Sequence, residues 1–143
     1  MRAIDILLVE DDRGDALLAK RALDRGRGHN TLNVARDGLE ALRFLRREGD
    51  FVAAPRPDVI LLDLNMPRMD GREFLKEMKS DPSLCQIPVV VLTTSDAASD
   101  VLRSYELQAN CYITKPAELA NFYQVMRSIE EFWFGVVKLP SRA

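Results

Sequence analysis

The chain contains little cysteine or histidine and no long apolar run. Two cysteines and one histidine occur among its 143 residues. Cys85 and Cys111 lack the spacing of metal ligands, and a disulfide framework is not expected in a chain without secretory features. We expect both to be reduced packing residues. His29 lies in a predicted turn, and we assign it no catalytic role.

Two further absences limit the location and the partners of the protein. No stretch approaches the roughly 20 apolar residues of a membrane span, and the N-terminal apolar run is short, is interrupted by Asp5 and lacks a cleavage pattern. Lys and Arg total 20 against 22 Asp and Glu, a net charge of −2, and the absence of a basic stripe argues against nucleic acid as the main partner. The sequence predicts one cytoplasmic domain, residues 1–143, that binds neither membranes nor nucleic acid.

Short apolar runs alternate with longer helical patterns, which is typical of parallel strands joined by crossover helices. The predicted strands are residues 4–9, 31–35, 59–62, 89–92 and 111–114. Right-handed crossovers then favour a doubly wound α/β fold, a five-stranded sheet in the order 2-1-3-4-5 with five helices.

Capping and stop signals set the predicted helix ends. The first helix covers about 13–24 with Gly26 and Gly28 as stops, and the third runs from a turn at 66–71 to about 79. The second helix is expected to start at the capping pair Asp37 and Glu40 and to end at Gly49. The fourth is expected to be capped by Asp96 or Ser99 and to run to about Gln108, and the fifth to start near Ala117.

Polar side chains follow four of the predicted strands. Glu10 and Asp11 follow the first strand, Asp63 the third, Thr93 the fourth and Lys115 the fifth. The carboxyl ends of parallel strands meet at one edge of the sheet, where ligands bind in open α/β folds. Carboxylates there can hold a hard cation, and a lysine can face an anion. The pattern predicts Mg²⁺ and a phosphoryl group.

Each acid has a predicted role. Asp11 and Asp63 are expected to bind the metal, Glu10 directly or through a water, and the backbone carbonyl of Asn65 to add a neutral ligand. Asp63 is central and is the candidate nucleophile for an aspartyl phosphate. Asp12 is either a fourth metal ligand or a helix cap, and its position before the first helix favours the cap.

Lys115 and the Thr93 hydroxyl complete the predicted chemistry. Phosphoryl transfer depends mainly on orientation and electrostatics, so positioned cations and donors must stabilise the charge on the transferring group. The ammonium group, the hydroxyl and the metal would supply that stabilisation.

The motifs at residues 9–12 and 62–67, together with Thr93 and Lys115-Pro116, resemble those of the bacterial response-regulator receiver domain. The resemblance covers nearly the whole chain and implies a flavodoxin-like fold. It also implies that Asp63 accepts phosphate from a phosphohistidine of a sensor kinase, that Lys115 contacts this phosphate, and that Thr93 and Tyr112 form a conformational switch. In this family the peptide bond before the proline that matches Pro116 is cis.

A narrower resemblance involves residues 110–116, the long loop before the third strand and the aromatic tail from about 129. These are similar to the small regulators paired with bacterial phytochrome kinases. The tail extends the last helix with more apolar surface than one helix face needs. Because exposed apolar patches often mark interfaces, we expect a homodimer through the last helix and the fifth strand.

Two other functions share parts of this pattern. A magnesium-dependent phosphohydrolase would also use Asp63 as nucleophile, but Asn65 occupies the position where such enzymes usually carry a second acid. A flavin or nucleotide module would need a phosphate loop, and no glycine-rich loop follows the first strand. The sequence favours a signalling module that is not an enzyme.

Overall fold

A five-stranded parallel sheet in the order β2-β1-β3-β4-β5 forms the centre of the molecule. Its strands are β1 (Ile4–Val9), β2 (Asn30–Ala35), β3 (Val59–Leu62), β4 (Val89–Thr93) and β5 (Cys111–Thr114). The computed structural model describes residues 3–25 and 30–140, so the predictions for Gly26, Gly28 and His29 lie outside the described residues. The predicted fold class and strand order are confirmed.

Two apolar layers cover the faces of the sheet. The helices are α1 (Arg13–Asp24), α2 (Gly38–Arg46), α3 (Gly71–Ser80), α4 (Ala98–Glu106) and α5 (Leu119–Ile129). Alternate strand residues point to opposite faces. Leu7, Ile60 and Val91 pack with α2 and α3, whereas Ile6, Leu61 and Val90 pack with α1 and α5. This two-sided burial explains why β3 and β4 are apolar at consecutive positions.

Side-chain caps hold the starts of α1 and α2 as predicted. Asp12 Oδ1 accepts a hydrogen bond from the Asp15 backbone N–H at 3.0 Å, and Asp37 Oδ1 accepts one from the Glu40 N–H at 2.9 Å. The capping role of Asp12 is therefore confirmed.

Several predicted helix limits are wrong. Helix α4 has Ala97 at its N-cap with no side-chain hydrogen bond, instead of Asp96 or Ser99. Helix α2 ends at Arg46 rather than near Gly49, because Arg47 already adopts a left-handed φ of 55°.

The end of the chain also differs from the prediction. Helix α5 begins at Leu119, later than the predicted start near Ala117, and a π-helical segment, Glu130–Val136, continues it. The cis bond that the family resemblance implies before Pro116 is absent, since residues 3–25 and 30–140 contain no cis peptide bond. Lys115 reaches the sheet edge from a trans backbone, whose N–H continues the ladder by donating to the Thr93 carbonyl at 2.6 Å.

No helix within residues 3–25 and 30–140 has the length and apolar character needed to cross a membrane.

Gly71, the first residue of α3, lies directly against the strand end that carries Asp63. A Cβ at this position would lie 2.5 Å from the Asp63 carbonyl oxygen and 2.7 Å from the Leu64 Cα. Because both atoms are backbone, we expect Gly71→Ala to lower the free energy of unfolding by about 1–3 kcal/mol, as overpacking typically does. Urea denaturation measures this loss. Gly135→Ala is the control, because a Cβ there meets no atom within 4 Å; equal effects of the two variants would contradict the packing argument.

Candidate functional site

The backbone hydrogen bonds of the sheet continue beyond the strand ends to the predicted site residues Glu10 and Asp63. The Glu10 N–H donates to the Ala35 carbonyl at 2.9 Å, and the Asp63 N–H donates to the Val9 carbonyl at 3.0 Å. Since Val9 pairs with Leu62 in the register of β1 and β3, Glu10 and Asp63 leave adjacent strands side by side. The sheet therefore fixes where these acids lie.

Glu10, Asp11 and Asp63 form a compact cluster of carboxylates. One oxygen of each lies within 4.8 Å of the others. Glu10 is buried, whereas Asp11 is exposed to solvent. An all-oxygen donor set of this kind suits a hard divalent cation, which would also reduce the repulsion among the acids.

Lys115 is the cation that faces these acids from β5. Its ammonium group contacts Glu10 Oε1, and it lies 3.0 Å from Asp15 Oδ2 and 3.3 Å from Asp63 Oδ2. Only 6% of the Lys115 side chain is exposed. Burial acts to lower the pKa of Lys115, but the hydrogen bond and charge of Glu10, the charge of Asp63 and the hydrogen bond of Asp15 outweigh it and raise the pKa. Lys115 is therefore a permanent cation in this site.

The pKa of Glu10 is raised, whereas an ion pair with a cation ordinarily lowers the pKa of an acid. Burial is the largest cause that raises the pKa of Glu10, from 4.5 to about 7. Lys115 acts to lower this pKa, and the charge of Asp63 acts to raise it. Without a bound cation, Glu10 takes up a proton much more readily than an exposed glutamate does.

Asp63 is held by donors on both of its carboxylate oxygens. The Thr93 hydroxyl donates to Oδ1 at 2.7 Å, and the Asn65 N–H donates to the same oxygen at 3.3 Å. Lys115 donates to Oδ2. The carboxylate is thus oriented by groups from β4, β5 and its own loop.

Tyr112 is turned toward the loop between β4 and α4. Its side chain packs on the core layer of α2 and α3, and its hydroxyl donates to the Ser95 carbonyl at 2.7 Å. Ser95 lies two residues after Thr93. The two residues of the predicted switch pair are therefore joined through one short loop.

A second polar network ties this loop to α3. The Arg72 guanidinium donates to Asp100 Oδ1 from Nη2 at 2.6 Å, and the Ser95 hydroxyl donates to Asp100 Oδ2 at 2.6 Å. The Asp100 carboxylate in the first turn of α4 therefore accepts hydrogen bonds from both α3 and the loop between β4 and α4.

Contacts of the loop that follows Asp63 hold it in place. Arg68 has a left-handed φ of 62°, and its Nε donates to Asp37 Oδ2 at 2.7 Å. The Gly38 N–H donates to the Met69 carbonyl at 2.9 Å, and the Gly71 N–H donates to the Leu64 carbonyl at 2.9 Å. The loop is therefore attached to the starts of both α2 and α3.

The structure brings together the predicted side chains Glu10, Asp11, Asp63, Thr93 and Lys115. Sequence reasoning missed the contact of Asp15 with Lys115, because an acid in the first turn of a helix is already explained by capping. The signal that could have found it is the position of Asp15 in the first turn of α1, close in sequence to the strand end that carries Glu10 and Asp11. The Arg72 to Asp100 contact joins two helices and left no signal in the sequence.

Residues 6–127 match the model of the response regulator receiver domain family. The chain belongs to this family.

Among its relatives is the response regulator Rcp1 of Synechocystis sp. (strain ATCC 27184 / PCC 6803 / Kazusa). It is 48% identical over 136 residues, which cover 95% of this chain and 92% of Rcp1. The crystal structure of the phosphorylated cyanobacterial phytochrome response regulator RcpA is also similar, with 49% identity, a TM-score of 0.94 and coverage of 98% of this chain and 100% of RcpA. The Mn²⁺-bound form of Rcp1 is 47% identical with a TM-score of 0.92, over 96% of this chain and 99% of Rcp1.

The shifted pKa of Glu10 predicts a pH dependence of stability in the metal-free protein. A group whose pKa is raised on folding stabilises the fold below its unfolded pKa and loses this contribution as the pH rises through the folded pKa. For Glu10 the window runs from 4.5 to about 7. We expect wild type to lose stability across it relative to Glu10→Gln, which cannot ionise.

Urea denaturation in the presence of a chelator measures this difference. Glu106→Gln, at the exposed end of α4, is the control and should follow the wild-type pH profile. Parallel profiles for wild type and Glu10→Gln would contradict the prediction.

Proposed function

We propose that this chain is a phosphoacceptor that receives a phosphoryl group on Asp63 from a sensor histidine kinase. The observation that carries the proposal is the convergence on Asp63 of an acidic cluster, the Lys115 ammonium and the Thr93 hydroxyl. The family supports it, since receiver domains act in signalling. The protein is a signalling module rather than an enzyme with turnover.

The transfer requires a nucleophilic oxygen and stabilised phosphoryl charge. A carboxylate oxygen of Asp63 attacks phosphorus, a P–O bond forms, and the P–N bond to the kinase histidine breaks. The electron pair of the broken bond stays on the histidine nitrogen, which binds a proton. Lys115 and Thr93 already donate to the Asp63 carboxylate, so both donors lie close to where the oxygens of the transferred phosphoryl group arrive.

We assign the metal site to Glu10, Asp11, Asp63 and the backbone carbonyl of Asn65, with Mg²⁺ as the ion. Oxygen-only ligands and two or more carboxylates favour Mg²⁺ over soft metals. When bound, the ion neutralises charge on the acids and on the transferring phosphoryl group. The acidic cluster and the Mn²⁺-bound form of Rcp1 support a divalent ion here.

We further propose that the kinase is of the bacterial phytochrome type and that the exchange takes place in the cytoplasm. The similarity to RcpA, a cyanobacterial phytochrome response regulator, extends over 98% of this chain. The bacteriophytochrome response regulator AtBRR is 41% identical over 93% of this chain. Both relatives support a phytochrome-type signalling partner.

The switch is assigned to Thr93 and Tyr112. A phosphoryl group on Asp63 would compete with the present carboxylate oxygen for the Thr93 hydroxyl. The loop that follows Thr93 would then move the Ser95 carbonyl, to which Tyr112 is bound. Phosphorylation biases a two-state equilibrium of this loop and of α4.

We propose a homodimer through α5 and β5. A groove of about 530 Å³ lies there, and apolar side chains such as Ile113, Val125 and Trp133 line it. Phe132, at its rim, is 53% exposed. Strand β5 is an edge of the sheet, and a second copy of the chain would cover both the groove and the edge.

Phosphorylation of Asp63 is testable with a small acyl phosphate and Mg²⁺. We expect one phosphoryl group per wild-type chain by intact mass, loss of this gain in Asp63→Asn, and loss in the presence of a chelator. Asp24→Asn, at the exposed far end of α1, should be phosphorylated like wild type. Modification of Asp63→Asn would reject the assignment, and steady turnover of a phosphate monoester would favour the phosphohydrolase instead.

The dimer predicts a change in mass in solution when the groove is charged. We expect Phe132→Glu to shift the protein from dimer to monomer in sedimentation equilibrium, because a carboxylate buried at the interface lacks a partner. Val52→Glu is the control, since Val52 is 74% exposed in the loop before β3. A monomeric wild type would refute the proposed interface.

A further inference from the structure

Asp15 lies in the first turn of α1 but does not use its carboxylate to cap the helix. Its backbone N–H donates to the capping residue Asp12 at 3.0 Å. In a capping box the acid at this position turns back to the N-cap backbone. Here the Asp15 carboxylate instead accepts a hydrogen bond from the Lys115 ammonium at 3.0 Å, across the site.

The contacts of the Lys115 ammonium account for all of its donors. A protonated lysine has three N–H bonds, and Glu10, Asp15 and Asp63 each accept from Nζ. The contact with Asp63 is the longest of these, at 3.3 Å. The Lys115 side chain is only 6% exposed, and of its three partners Asp15, at 39% exposure, lies nearest to solvent.

We infer that Asp15 is a positioning residue for phosphoryl transfer. Together with Glu10 it holds two N–H bonds of Lys115, so that the third points at Oδ2 of Asp63. This inference rests on the proposed function. When a phosphoryl group joins Asp63, the third N–H can shift to a phosphoryl oxygen while the other two contacts stay in place. Without Asp15 the ammonium can rotate away from the acceptor.

A purely electrostatic role for Asp15 predicts the opposite sign. Removing a negative charge near the site should speed the reaction with an anionic phosphodonor, because repulsion falls. Losing an anchor of Lys115 should slow the same reaction. Asp12 supplies the comparison, since it carries the same charge in the same region and its side-chain hydrogen bond serves the helix.

The test measures the rate of Asp63 phosphorylation by a small acyl phosphate with Mg²⁺ in a set of variants. We expect Asp15→Ala to slow it about tenfold, the loss equivalent to one charge-assisted hydrogen bond. Asp15→Asn should be slowed less, because its amide oxygen still accepts, and Asp12→Asn should not be slowed. In a Lys115→Ala background, Asp15→Ala should cause no further slowing, since the two residues act as one unit.

A second measurement needs neither metal nor phosphodonor. The ¹⁵N ammonium resonance of Lys115 should be visible in the metal-free wild type and in Asp12→Asn, because its protons exchange slowly when hydrogen bonded. It should broaden or disappear in Asp15→Ala.

The outcomes separate this inference from the proposed function. If wild type gains no phosphoryl group, the proposed function fails. If wild type is phosphorylated but Asp15→Ala is as fast or faster, or slows the reaction equally in the Lys115→Ala background, the positioning role of Asp15 is overturned while the proposed function stands. An unchanged ammonium resonance in Asp15→Ala would also overturn it.

Discussion

Repulsion among carboxylates is the constraint on which the site depends. Two unit charges about 4 Å apart interact by about 4 kcal/mol in the effective dielectric near a protein surface, and Glu10, Asp11 and Asp63 bring oxygens within 4.8 Å of one another. Backbone pairing of β1 with β3 holds them there despite this cost. One ammonium group balances only part of the charge, so the site is arranged to attract a further cation.

The scaffold can maintain this arrangement because two of the strands beneath it, β3 and β4, are completely buried. Residues of β3 and β4 are covered on both faces, and their packing energy is independent of the acids. The loop after Asp63 is then fixed by Gly71, whose missing side chain permits the close approach of α3 to the strand end. A rigid support of this kind lets the acids keep their positions when the charge of the site changes.

The fold was largely predictable because its central strands are short apolar runs that end at a polar residue, as in residues 59–63. Burial on both faces produces that pattern directly. The start of α4 was not predictable, since Asp100 is occupied by Arg72 and Ser95 and no side chain caps the helix. Likewise, the contact of Asp15 with Lys115 joins residues 100 positions apart, and only the assembled sheet brings them together.

The shared carboxylate of Asp100 has a mechanical consequence for α4. The Arg72 guanidinium holds one of its oxygens and the Ser95 hydroxyl holds the other. The first turn of α4 cannot separate from α3 without breaking contacts on one side of this residue, whereas the far end of the helix has no comparable tether among the described contacts. The start of α4 is therefore coupled to both α3 and the loop after Thr93, so any shift of that loop must be accommodated at Asp100.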